Sequence, residues 1–193
     1  MPDGSRGHYR LSVVVPLVAT QAANGTLFSF RWTSSTLVAV IKKLRISVLQ
    51  TAAATATIFP NYHVFVARSF TAADSAGTAL TLSGNSMKVR TAMATTALSG
   101  ARISAAAAGL TVGTRTLDPH PQLILTTAST ITTPNLTLYE NETDPSIQGG
   151  SVPIVLAQNE GIIVRGPTTV FGAADAANLN VHMMWMETSS YTA

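Results

Sequence analysis

Three carboxylates stand two residues apart at Glu140, Glu142 and Asp144. On an extended segment they would project from one side, offering the oxygen ligands that a hard cation such as calcium takes. The stretch lacks the Asp/Asn/Gly pattern of a calcium loop, and a solvated acidic loop is the simpler reading. Glycosidase chemistry needs two carboxyl groups about 5 to 9.5 Å apart, and nothing in the sequence pairs Glu140, Glu160 or Glu187 in that way. His8, His63, His120 and His182 are scattered, with no His-Glu-x-x-His motif and no two histidines two residues apart, so metal catalysis has no support. Cysteine is absent, which removes disulfides, zinc-thiolate sites and thiol nucleophiles. Neither a Gly-x-Ser-x-Gly elbow nor a phosphate-binding glycine loop is present. The chain reads as a non-enzyme, without cofactor or metal.

The remaining chemistry is cationic. Lys42, Lys43 and Arg45 lie together, and His8, Tyr9 and Arg10 form a second polar group near the start. The first cluster reads most simply as a solvated strand edge that discourages aggregation; its sharper reading is a contact for an acidic partner. These six residues are the candidate interface. The formal net charge is only +3, and the basic residues form no dense stripe with stacking groups, so nucleic acid is not an expected partner. No apolar run approaches a membrane span of about 18 residues, and Pro16 interrupts the one that faintly resembles a signal peptide. Charged residues make up 11% of the chain against 46% hydrophobic. So low a charge favours life in an assembly, with a secreted Thr- and Ser-rich β-domain as the alternative.

Strands must position these groups. Leu179, Val181, Met183 and Trp185 alternate with Asn178, Asn180, His182, Met184 and Met186, a period of two that predicts a strand over Asn178–Glu187. Ile154–Ala157 and Gly161–Arg165 read as two strands with a tight polar connection, and Leu27–Trp32 as a half-buried strand. Thr36–Leu49 alternates too, except that Lys42 falls on the apolar face and so marks a bulge or an edge position. Leu11–Ala19 is a strand that Pro16 demotes to an edge or breaks. Tyr62–Phe70, apolar on both faces, predicts a central strand in which His63 is a core histidine. Met87–Met93, Ala101–Ala106, Leu123–Leu125 and Leu136–Tyr139 complete the set. Gln50–Thr57 is a loop or weak strand, 71–86 and Glu140–Gly150 are loops, and Ala105–Gly109 is a single turn.

Eight to ten short strands with no long helix predict an all-β fold, a jelly-roll-like β-sandwich with an extended N-terminal arm over Met1–Arg10. Residues 1–26 are the arm and an edge strand; residues 27–193 are a single sandwich domain. Gly7-His8-Tyr9-Arg10-Leu11-Ser12, Phe30-Arg31-Trp32-Thr33, Leu37 to Lys43, Pro153 to Gly161 and Met184-Trp185-Met186-Glu187 resemble a group of small proteins encoded among tailed-bacteriophage structural genes. The resemblance implies a virion component assembled in the host cytoplasm: a decoration or cement protein that contacts the major capsid protein and copies of itself. The alternative it leaves open is a tail- or fibre-associated protein that binds a host-surface carbohydrate, with Tyr139, Glu140 and Asn141 as its candidate contact.

Overall fold

The computed structural model describes residues 5–52, 59–82, 84, 87–104, 106–127, 135–140 and 153–191. Among them are twelve strands and no α-helix, in two antiparallel sheets. The strands are β1 (Ser5–Leu17), β2 (Thr26–Trp32), β3 (Val38–Ala52), β4 (Asn61–Arg68), β5 (Thr78–Ala79), β6 (Gly100–Ile103), β7 (Thr116–Leu117), β8 (Leu123–Thr126), β9 (Asn135–Glu140), β10 (Val155–Leu156), β11 (Glu160–Arg165) and β12 (Ala176–Thr188). The first sheet has the order β1-β12-β3-β10, with β9 also on β3. The second has the order β5-β6-β2-β11-β4-β7, with β8 also on β4.

The alternation in β12 is realised as expected. Leu179, Val181, Met183 and Trp185 are buried, while Asn178, Asn180, His182 and Met184 are half-buried on the other side. The inward faces of both sheets meet at aromatic rings: Trp185 stacks on Tyr9 at 5.7 Å and takes the edge of Phe30, from the opposite sheet, at 5.2 Å. Removing such a ring costs about 3–5 kcal/mol, so this cluster is a main tie between the layers. Lys42 is the extra residue of a bulge: Met184 pairs with Lys43 and Trp185 with Ile41, leaving Lys42 without an opposite number. The bulge lets Ile41 and Leu44 both point into the core, where each is fully buried.

Several expectations meet a different structure. Ser5–Arg10, expected in the arm, pair with β12 as the first half of β1. That stretch looks polar because its inward positions are Gly7 and Tyr9 while His8 and Arg10 face out. The two runs of 154–165 are strands, but β10 belongs to the first sheet and β11 to the second, so their connection crosses the sandwich. Asn159, at φ +60°, makes that turn, held by Phe70 N–H to its carbonyl at 2.7 Å and by its own N–H to the Trp32 carbonyl at 2.8 Å. β4 is paired on both sides as predicted, yet only one face is core: His63 and Phe65 are half-exposed, their rings edge to face at 5.9 Å. Met87–Met93 is not a strand. It touches β1 through a single bridge, Lys88 to Tyr9, and then turns away, with the Met93 N–H bonding back to the Arg90 carbonyl at 3.1 Å. β3 runs on to Ala52, inside the expected loop or weak strand. Of the predicted loops, 53–57 and 141–150 lie outside the described residues.

Two buried polar clusters fasten loops to the sheets. Glu187, fully buried, accepts from Trp185 Nε1 at 3.2 Å, from the Ala97 N–H at 3.0 Å and from the Thr96 hydroxyl, tying the segment after Met93 to β12. Asp74 takes Arg115 and the Gly113 N–H (2.8 Å), joining two loops beside Phe70, over which Arg115 lies at 5.1 Å. Phe70, Ala67 and Ile163 make a small apolar cluster there, so β11 is covered on both faces.

Candidate functional site

The outward side of the first sheet gathers most of the candidate residues. Register places Arg10, Met184 and Lys43 in one row across β1, β12 and β3, and Ser12, His182 and Arg45 in the next. Val14, Asn180 and Ser47 follow, then Pro16, Asn178 and Leu49. Strand alternation puts all of these on one face, and Lys42 joins its upper end through the bulge. Arg10 and Arg45 are exposed, Lys42, Lys43 and His8 half-buried. Val14 and Leu49 add apolar surface, 52% and 39% exposed.

At the centre, the Ser12 hydroxyl and His182 Nδ1 share a hydrogen bond of 2.6 Å. A shallow depression of about 390 Å³ surrounds the pair, bordered by Val14, Arg45, Ser47 and Asn180. Burial, and then the positive charges of Lys43, Arg45 and Arg10, hold the His182 pKa below its ordinary value. Burial, Lys42 and Arg90 do the same to His8. Both imidazoles are therefore neutral at neutral pH, chiefly through burial and then through the cations around them.

The arginines over the second sheet are engaged within the chain. Arg68 pairs with Asp118 at 3.0 Å and with Glu160, and Arg115 pairs with Asp74. Arg31, Arg102 and Arg165 donate to backbone carbonyls of Phe70, Ala76 and Asn24. Among the described residues, no carboxylate lies within ion-pair distance of Arg10, Lys42 or Arg45.

Tyr9 stands apart from the other five candidates: it is fully buried, and its hydroxyl donates to the Ala94 carbonyl at 3.0 Å. Ser12 and His182 were not singled out from the sequence, and no local signal marks them, because 170 residues separate them. Glu140 ends β9 opposite Lys43 in the ladder, whereas Glu142, Asp144 and Asn141 lie outside the described residues. Glu160 is held by Arg68 and the Ala157 N–H, and Glu187 by the bonds described above. Among the described residues, no three His, Asp or Glu side chains converge on a common point, and no helix is long and apolar enough to cross a membrane. No family model, curated protein or solved structure matches the chain.

Proposed function

We propose that this chain is a non-catalytic structural component of a tailed-phage virion, a jelly-roll decoration protein that seats the outward face of its first sheet on an acidic surface of the capsid shell. The observation that carries the reading is the contrast among its cations. Those over the second sheet are engaged internally, while Arg10, Lys42 and Arg45 share a face with exposed Val14 and Leu49. A charged face with apolar members suits a contact of roughly 1,200–2,000 Å² in which charge sets orientation and apolar area supplies affinity.

The jelly-roll assignment is supported by how the strands nest. β1 pairs with β12, β2 with β11, β3 with β9 and β10, and β4 with β8, as when one long hairpin is rolled into two four-stranded sheets. In this reading the N-terminal residues from Ser5 onward reach neighbours as part of β1.

The test is the position and copy number of the protein in intact particles, with the double variant Arg10→Glu/Arg45→Glu as probe. Hundreds of copies on the shell, lost at least tenfold in the variant and weakened by salt, is the expected result. A handful of copies at one vertex would move the protein to the tail, and occupancy unaffected by charge reversal would overturn the docking face.

A further inference from the structure

The two halves of β1 have different neighbours on the side away from β12. His8 gives its carbonyl to the Val89 N–H at 3.1 Å and points its own N–H at the Met93 sulfur at 3.4 Å, so the segment after Met87 covers the edge there. The N–H and C=O of one strand residue point the same way, and the register with β12 runs without a shift from Gly7 to Leu17. Arg10, Ser12, Val14 and Pro16 therefore also aim their backbone groups away from β12. Pro16 sits where its missing N–H costs the sheet no bond. The bridge of Tyr9 with Lys88 engages the edge as far as Arg10; beyond it, among the described residues, no backbone hydrogen bond reaches the outward groups of Ser12 or Val14. Beside this open edge lies a cleft of about 340 Å³, walled by Arg10 to Val13 on one side and by Leu80, Thr81 and Met87 on the other. Open space and outward-facing hydrogen-bonding groups thus occur together at Ser12 and Val14.

We propose that this edge pairs with the same edge of a second copy, β1 against β1, across a twofold axis at Val13. Antiparallel pairing through the outward groups must match even-numbered residues with even-numbered ones. An axis at Val13 sets Ser12 opposite Val14, with both backbone bonds exchanged between them. An axis one residue earlier brings His8, whose backbone is already taken by Val89 and Met93, opposite Pro16. An axis one residue later puts Arg10 opposite Val18, past the end of β1. The favoured register is self-complementary, as a closed dimer requires. It also separates the two Arg10 side chains by about 20 Å along the strands, about twice the Debye length at 0.1 M salt, so like charges do not oppose it. The dimer would join two outward faces into one continuous sheet. It stands on the edge geometry alone and does not depend on the docking partner.

Because the chain has no cysteine, Val13→Cys introduces a single thiol. Across the proposed axis the two Cβ atoms at position 13 would face each other at about 4.5 Å, as in a non-hydrogen-bonded pair, close enough for a disulfide. The expected result is a covalent dimer that forms at least tenfold faster than in Val112→Cys, whose site is exposed but distant from the edge. Sedimentation of the cysteine-free chain should show a dimer, and Val14→Pro should raise its dissociation constant at least tenfold with an unchanged circular dichroism spectrum. Should proline unfold the strand, Val14→Lys leaves the backbone intact and places two charges near the axis, with the same loss expected. A monomer at about 100 µM, or crosslinking at position 13 no faster than at 112, overturns the proposal.

Discussion

Removing one partner of the Asp74–Arg115 pair should be far worse than removing both. The two side chains are 0% and 2% exposed, so the pair has left water almost completely. Burial pushes the Arg115 guanidinium pKa down even though Asp74 beside it works in the opposite direction, and Arg165 adds to the depression. Asp74→Leu would leave that cation in an apolar pocket with only the Thr26 hydroxyl at 3.0 Å and the Phe70 ring for company. Breaking a buried pair in this way costs about 3–5 kcal/mol, and a domain of this size loses about 2–4 °C of Tm per kcal/mol. The midpoint should thus fall by about 6–20 °C. Arg115→Met should cost a similar amount, since it strands a carboxylate whose remaining partner is the Gly113 N–H. The double variant Asp74→Leu/Arg115→Met removes both charges and should lie within about 1 kcal/mol of the parent chain. Urea unfolding of the four proteins closes the cycle, and the coupling energy should exceed about 2 kcal/mol, well beyond the 0.5 kcal/mol or so within which independent sites add. Additive single losses, or single losses below about 1 kcal/mol as at a solvent-exposed pair, would refute the argument.

Two further outcomes follow from the packing and the titrating groups. A Cβ at Gly161 would stand 2.2 Å from the Phe30 carbonyl oxygen and 2.9 Å from the Phe70 ring, in a strand paired on both sides. Gly161→Ala should therefore lower the urea-unfolding free energy by about 3 kcal/mol or more, while Gly100→Ala, with nothing within 4 Å, should change it by less than about 1 kcal/mol. Acidification should destabilise the chain, because the pKa values of His8, His63 and His182 are all lowered in the folded state, chiefly by burial and then by Lys42 and Arg90, by Arg165, and by Lys43, Arg45 and Arg10 respectively. A depressed folded value means that the unfolded chain binds protons first: stability is full above about pH 6.5 and declines as the pH falls through that value toward the folded ones. His182→Gln should flatten part of this decline in urea midpoints taken between pH 7.5 and about 5, and midpoints that stay level over that range would remove the histidines from the account.

What the sequence determined by itself is what a single strand can express. The alternation of Leu179 to Trp185 with Asn178 to Met184 states which side of β12 is buried, whatever it pairs with, because side-chain direction repeats every two residues. Lys42 could be recognised as a bulge for the same reason: one residue out of phase breaks a local period. Tyr9 shows the limit of composition, since its polar neighbours hide an inward position that only alternation within β1 reveals. Which strands lie side by side is another matter. Ser12 and His182, Asp74 and Arg115, and the rows that carry Arg10, Lys43 and Arg45 on one face are set by register between strands remote in the chain. The assignment of β10 and β11 to different sheets is of the same kind. Each depends on which partner edge is still free once the longest ladders have formed, and a competition among edges is a property of the whole fold that no local run of residues contains.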